Sequence, residues 1–123
     1  MKYINKKLSI ENVKVQNIAK KFGTPAYCYS YKQLKENINN FKRSFKSFSP
    51  LICFAIKSNT NVNLISEIRK LGLGADVVSM GELMKALKAG IKPNKIVFSG
   101  VGKTVEEIKY AINKKILLIN AES

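Results

Sequence analysis

A repeat of short apolar segments constrains this chain more than any other feature of its sequence. Four such segments occupy residues 51–56, 75–78, 96–98 and 116–119. Three of them are apolar throughout, and only Asp76 interrupts the segment 75–78, a pattern typical of strands in a parallel sheet that helices cover. The segments begin about 20 to 24 residues apart, the length of one strand–helix unit with short loops. The pattern predicts a βαβαβαβ array.

Helical patterns fill the intervals between the predicted strands. Apolar residues recur at three- and four-residue spacing over residues 62–72, a segment that ends in a glycine. The next two helices begin with the capping-box spacing, in which Ser79 precedes Glu82 and Thr104 precedes Glu107. A regular repeat without a topological switch favours a TIM-type (β/α)8 barrel over a doubly wound sheet. We therefore expect an incomplete barrel containing about its first four β/α units.

The first part of the chain does not follow the repeat. Its pattern predicts a helix over residues 11–22, an isolated strand over residues 26–29 and an amphipathic helix after Ser30. We predict two domains, with the N-terminal helix and strand in residues 1–30 and the partial barrel in residues 31–123. Four units are half of the number that closes a barrel, so we expect the chain to be an N-terminal fragment.

The composition suggests a cytoplasmic protein. The longest apolar run has six residues, too few to span a bilayer, so we expect no membrane association. The N-terminus lacks the continuous apolar stretch of a secretory signal. The two cysteines, Cys28 and Cys53, lie in apolar stretches and are predicted to be reduced, buried thiols.

The strand-end rule for β/α barrels selects candidate functional residues. Functional groups stand at the carboxyl ends of the strands, which here are Lys57, residues 76–79, residues 99–103 and residues 120–123. Lys57 directly follows six apolar residues, and burial there would favour the neutral amine that forms Schiff bases with carbonyl compounds. Position alone favours a lysine whose stem packs against the strand end while its ammonium group stays in water.

The residues around Lys57 carry a family resemblance. Residues 54–59, Phe-Ala-Ile-Lys-Ser-Asn, with the apolar residues and glycine up to residue 72, resemble the pyridoxal-phosphate attachment signature of fold type III amino-acid decarboxylases. Residues 74–83, 98–104 and 120–123 are similar to the diaminopimelate decarboxylase branch of that family, as are residues 22–27. The resemblance extends from about Val13 to the last residue and represents the N-terminal half of the family's chain.

The resemblance implies roles for three residues. Lys57 would hold pyridoxal 5'-phosphate covalently and release it to the substrate amine. Asp76 would lie beside the cofactor, and Glu82 would lie near Lys57. Asp76 also fits a carboxylate that solvates a strand end, and Glu82 also fits the capping partner of Ser79. The implied reaction is decarboxylation of meso-2,6-diaminopimelate to L-lysine and CO2, and we expect the fragment to be inactive alone.

Other implications concern residues and partners outside this chain. The strand at residues 26–29 would belong to a second β domain of the full-length family. The family implies a homodimer, and a separate chain carrying the C-terminal half is a further partner that we consider. Within the family, an ornithine- or arginine-type decarboxylase is the alternative, although those enzymes lack the pattern at residues 98–104.

The charge balance raises a second alternative, a basic nucleic-acid-binding domain. Lys and Arg number 22 against 8 Asp and Glu, giving a formal net charge of +14. However, Arg43 and Arg69 are the only arginines, and the lysines are scattered along the chain, whereas nucleic-acid readers favour arginine and clustered patches. Heavy use of Lys, Asn and Ile fits codon bias in an A+T-rich genome, so we expect no nucleic-acid partner.

This interpretation makes the first prediction. If the lysine excess reflects codon bias, binding to duplex DNA will be weak, independent of DNA sequence and steeply reduced by salt. Only the release of counterions from the DNA would then drive binding. Fluorescence anisotropy with labelled duplexes at increasing salt concentrations measures this. Tight, sequence-selective binding that persists at physiological salt would instead favour the nucleic-acid-binding alternative.

Overall fold

The computed structural model describes residues 1–122 and divides the chain into two compact units, Met1–Ser47 and Phe48–Ser123. Ser123, the last residue of the predicted segment 120–123, lies outside the described residues. The predicted domain boundary after residue 30 stays a prediction. In residues 1–122, no helix combines the length and the apolar character that a bilayer crossing requires.

The first unit contains a three-stranded antiparallel sheet and two helices. The strands pair in the order β1-β2-β3, and the β1–β2 turn uses positive φ angles at Asn5 (49°) and Lys6 (61°). Ser30 caps the second helix by accepting a hydrogen bond from the Gln33 backbone N–H at 3.1 Å. The elements are β1 Lys2–Ile4, β2 Lys7–Ile10, β3 Val13–Lys14, α1 Val15–Phe22 and α2 Tyr31–Ser44.

Two predictions for this unit are wrong. The first helix begins at Val15 rather than residue 11, because Glu11 turns with a φ of 53° and residues 13–14 pair with β2. Residues 26–29 form no strand, since no strand of the described chain pairs with them. Cys28 in this segment is consequently exposed rather than buried, although its thiol is free as predicted.

The second unit confirms the predicted β/α array. Its four strands are parallel and pair in the order β4-β5-β6-β7, so the described sheet is open rather than a closed barrel. Helices connect successive strands. The elements are β4 Cys53–Ala55, α3 Val62–Lys70, β5 Gly74–Val77, α4 Met80–Lys88, β6 Ile96–Phe98, α5 Val105–Asn113 and β7 Leu118–Ile119, with short 3₁₀ helices at Ile56–Ser58 and Pro93–Lys95.

The two faces of this sheet differ in burial. Strand residues alternate between faces, so Ala75 and Val77 on β5 share a face with Ile96 and Phe98 on β6. All four are fully buried, and they form the core together with side chains from the helices. The opposite face, which includes Asp76, Val97 and Leu118, is partly or largely accessible. We call this second face the open face.

Gly74 allows β5 to lie close to the segment before β6. A Cβ atom at this position would lie 2.2 Å from the Lys95 carbonyl oxygen and 3.0 Å from Cys53 Sγ. Because the nearer atom belongs to the backbone, a side-chain rotation cannot relieve the overlap. Only glycine therefore permits the observed approach of these segments.

This close approach generates a stability prediction. We expect Gly74→Ala to lower the free energy of unfolding by about 1–3 kcal/mol, because the added methyl group must displace backbone. Gly81→Ala is the matched control, since a Cβ there meets only Ser79 Oγ at 3.9 Å. The control lies in helix α4 and should raise stability by about 0.4–1 kcal/mol. Urea unfolding of both variants measures the difference, and equal effects would refute the steric argument.

Candidate cofactor site

Lys57 lies immediately beyond the carboxyl end of β4. The chain turns there through the 3₁₀ helix Ile56–Ser58, in which the Asn59 N–H donates to the Ile56 carbonyl at 2.9 Å. Ile56 is fully buried in the core, whereas Lys57 is exposed. The predicted burial of Lys57 is therefore wrong, because Ile56 occupies the position that faces the helices. The amine remains accessible for reaction.

Asp76 lies on the adjacent strand β5, and a side chain that follows the next strand donates a hydrogen bond to it. Ser99, directly after β6, donates from Oγ to Asp76 Oδ1 at 2.7 Å. Asn120, directly after β7, donates from Nδ2 to Ser99 Oγ at 2.9 Å. A hydrogen-bonded row thus crosses the carboxyl ends of three neighbouring strands. We call Asp76, Ser99 and Asn120 the strand-end row.

The sheet register brings Lys57 and the strand-end row to the same edge. Ala55 pairs with Asp76, and Asp76 pairs with Val97. Lys57 is two residues beyond Ala55, and Ser99 is two residues beyond Val97. The alternation of side chains places Asp76 and Ser99 on the open face. An amine, a carboxylate, a hydroxyl and an amide therefore stand along one edge.

Glu82 is engaged at the beginning of helix α4. Its backbone N–H donates to Ser79 Oγ at 3.2 Å, as the predicted cap requires. Its carboxylate accepts from the Val78 N–H at 3.0 Å rather than from Ser79, so the reciprocal half of the predicted capping box is shifted by one residue. This contact ties the loop that follows β5 to the first turn of α4.

Glu107 joins the beginnings of two helices. Its Oε1 accepts from the Met80 N–H at 2.8 Å, and its Oε2 accepts from the Thr104 N–H at 3.0 Å. Thr104 Oγ1 in turn accepts from the Glu107 N–H, which completes the predicted capping box of α5. The hydrogen bonds from Thr104 and Met80 hold the pKa of Glu107 below its ordinary value of 4.5.

A third carboxylate contacts the loop after β6. Glu122 Oε1 accepts from the Gly100 N–H at 2.8 Å, and Lys103 Nζ donates to the Gly100 carbonyl. Lys103 Nζ also lies 5.9 Å from the centre of the Phe98 ring. Lys103 is therefore occupied within its own loop, in contrast to Lys57, whose side chain has no polar partner in residues 1–122.

Cys53 lies on the open face near Asp76. Burial raises the pKa of its thiol, and the negative charge of Asp76 raises it further, which Lys95 opposes. The thiol is half-buried and free, and its Sγ lies 3.9 Å from the Lys95 carbonyl oxygen. These conditions favour an uncharged packing residue and disfavour a nucleophile.

Sequence reasoning selected Lys57, Asp76 and Glu82 but not Ser99, which donates to Asp76, or Asn120, which donates to Ser99. Ser99 and Asn120 lie in the predicted strand-end segments, yet the strand-end rule gives no preference within a segment. The available signal is the alternation of side chains. Phe98 faces the core, so the next residue, Ser99, faces the open face. Ile119 pairs with Phe98, so the residue after it, Asn120, faces the open face as well.

Comparison with known proteins identifies the family. The model of the family "Pyridoxal-dependent decarboxylase, pyridoxal binding domain" matches residues 31–123. The chain belongs to this family. A curated diaminopimelate decarboxylase from Helicobacter pylori is 50% identical over 102 residues, covering 83% of this chain and 25% of that protein. The Aquifex aeolicus diaminopimelate decarboxylase is 44% identical over 123 residues, covering 100% of this chain and 29% of that protein.

Solved structures agree with this pyridoxal-binding family. A crystal structure from Aquifex aeolicus has a TM-score of 0.94 at 44% identity and covers 99% of this chain and 30% of its own. Diaminopimelate decarboxylase from M. jannaschii, in co-complex with L-lysine, has a TM-score of 0.95 at 36% identity with the same coverage. The family and the partial barrel predicted from the sequence are confirmed. The chain spans between a quarter and a third of the length of these relatives.

The junction between the helices at Glu107 makes a pH-dependent prediction. We expect Glu107→Ala to lower the free energy of unfolding by about 1 kcal/mol at neutral pH, because two backbone N–H groups lose their acceptor. Because the pKa of Glu107 is lower in the folded than in the unfolded state, its carboxylate stabilises the fold at pH values above the unfolded-state pKa. This stabilisation is lost as the pH falls through the folded-state pKa. Glu106→Ala, an exposed neighbour in the same turn, is the control.

Urea unfolding over a pH series tests this prediction. The stability gap between the Glu107 and Glu106 variants should be present at neutral pH and should narrow as the pH falls below 4.5. A gap that stays constant throughout the acid range would show that the carboxylate charge of Glu107 does not stabilise the junction.

Proposed function

We propose that this chain forms the cofactor-anchoring part of an enzyme that decarboxylates meso-2,6-diaminopimelate to L-lysine and CO2. The observation that carries the proposal is the exposed Lys57 within the family signature, at the sheet edge shared with Asp76. Curated relatives with this activity in their names are 42–50% identical to the chain. Structures of two such relatives contain L-lysine, the product of the proposed reaction.

The residues present fit pyridoxal phosphate. The cofactor carries an aldehyde, which requires an accessible primary amine, and Lys57 supplies one at the carboxyl end of a parallel strand. The strand-end row adds polar groups along the same edge, on a face of the sheet that the helices leave open. The donor set therefore suits a polar, covalently attached cofactor.

Each proposed site residue has a distinct task. Lys57 Nζ would hold the cofactor through its aldehyde, and once the substrate amine had replaced it there, the lysine amine would hold or return a proton at Nζ. When bound, pyridoxal phosphate supplies an electron sink for the electron pair that departing CO2 leaves on the substrate carbon. Asp76 provides a carboxylate beside the cofactor, and Glu82 fixes the loop between β5 and α4 near Lys57.

Comparison within the family favours diaminopimelate over ornithine or arginine as substrate. Solved diaminopimelate decarboxylases are 36–44% identical to the chain, with TM-scores of 0.85–0.95. Arginine decarboxylase structures are 22–23% identical and share the fold alone. An ornithine decarboxylase from Entamoeba histolytica reaches 25% identity with a TM-score of 0.55.

The partners and location of the full activity belong to the same proposal. We expect catalysis in the cytoplasm by a homodimer that also contains the C-terminal part of the family's chain. The family resemblance supports this expectation, as does the coverage of only 25–30% of each relative.

Lys57 makes the decisive prediction for this function. Incubation of the chain with pyridoxal phosphate, followed by borohydride reduction and peptide mapping, should label Lys57 as the major site. Its amine is exposed and without a polar partner in the described chain. It also stands at the edge of the sheet that holds the strand-end row, so a cofactor bound there condenses with Lys57 in preference to the other exposed lysines. This readout does not require catalytic turnover, so it applies to the 123-residue chain.

Two substitutions control the labelling experiment. Lys57→Arg keeps the positive charge but removes the reactive amine, and it should abolish the major labelled peptide. Lys88→Arg, at an exposed position of helix α4, should leave the label unchanged. Predominant labelling at Lys103, or labelling spread evenly over the lysines, would contradict the assignment of Lys57.

A further inference from the structure

The strand-end row is anchored to the sheet through its backbone as well as its side chains. The Ser99 N–H donates to the Val77 carbonyl at 2.8 Å, and the Asn120 N–H donates to the Phe98 carbonyl at 2.9 Å. Both residues thus continue the parallel hydrogen-bond ladder by one position beyond their strands. Their side chains start from a rigid backbone rather than from a mobile loop.

The direction of the hydrogen bonds is set by the chemistry of the end groups. An amide Nδ2 can only donate, so Ser99 Oγ accepts from Asn120. The Ser99 hydroxyl proton is then directed to the carboxylate of Asp76, which accepts it at Oδ1. Without Asn120, the hydroxyl would be free to rotate and to use its proton elsewhere.

This arrangement leaves one oxygen of Asp76 available. Oδ1 accepts the Ser99 proton, whereas Oδ2 accepts no hydrogen bond from any group in residues 1–122. Asp76 is half-buried on the open face, and its backbone is paired on both sides within the sheet. The Asp76 carboxylate is therefore oriented before any ligand binds, and Oδ2 is the oxygen that can accept a hydrogen bond from the ligand.

We propose that Ser99 and Asn120 are positioning residues that orient Asp76 so that Oδ2 receives an N–H or O–H donor of the bound cofactor or substrate amine. The inference rests on the proposed function, since it assigns the ligand of Asp76 to that site. Neither Ser99 nor Asn120 touches the reacting atoms in this scheme. Both act through the carboxylate.

The test is a double-mutant cycle on cofactor binding to the 123-residue chain. The dissociation constant for pyridoxal phosphate is measured by absorbance titration for the wild type, Ser99→Ala, Asp76→Ala and the double variant. We expect Ser99→Ala to weaken binding about tenfold, and we expect no further loss when it is added to Asp76→Ala. Ser99→Thr retains a hydroxyl and should restore most of the affinity.

Asn120 provides an independent arm of the same experiment. Asn120→Ala should weaken binding about threefold, less than Ser99→Ala, because it removes only the group that orients the hydroxyl. Ser66→Ala in α3 and Asn113→Ala in α5 are the matched controls and should leave the dissociation constant unchanged. Thermal unfolding of every variant shows whether the sheet is intact.

The outcomes separate this inference from the proposed function. Non-additive losses of affinity with unchanged unfolding midpoints support it. If Lys57 is labelled in the wild type but the losses of affinity from Ser99→Ala and Asp76→Ala add, the positioning role is overturned and the proposed function stands. The same holds if Ser99→Ala does not change the affinity. Losses that parallel lowered unfolding midpoints also overturn it, because they show a structural role. Absence of any cofactor binding by the wild type overturns both proposals together.

Discussion

The parallel ladder of β4 to β7 is the interaction on which the rest of the second unit depends. Its register decides which side chain of each strand enters the core and which reaches the open face. A shift of one residue in β5 would bury Asp76 among apolar side chains and expose Ala75 and Val77. The same hydrogen bonds that stabilise the sheet therefore also assemble the candidate site.

Carboxylates fix loops and helix ends in both units. The chain has only 8 acidic residues, and four of them, Glu11, Glu82, Glu107 and Glu122, accept hydrogen bonds from backbone N–H groups. Glu67 forms an ion pair with Lys70 at 2.7 Å. The acidic residues thus serve mainly to order loops and helix ends, which leaves most of the lysine excess in water.

The sequence predicts the β/α array well because its strands are mostly apolar and each of its helices begins at a recognisable cap. It fails for the N-terminal hairpin, whose turn uses positive φ at Asn5 and Lys6 rather than at glycine. It also fails at residues 26–29. A β-strand forms only when a second strand pairs with it, and local composition does not reveal whether such a partner strand is present. The exposure of Lys57 depends on three-dimensional register, which a linear pattern does not contain.

In the proposed site, the side chain of Lys57 is exposed, whereas Asp76, Ser99 and Asn120 are joined in a hydrogen-bonded row, and the proposed chemistry explains this difference. A lysine that attaches a cofactor and later releases it must move, so an exposed side chain beyond the end of β4 suits that task. A carboxylate that distinguishes one orientation of the ligand must not move, and Asp76 is held by Ser99 from the next strand. In the proposed function, the sheet fixes the carboxylate that orients the ligand, and the exposed side chain of Lys57 keeps the freedom that covalent exchange requires.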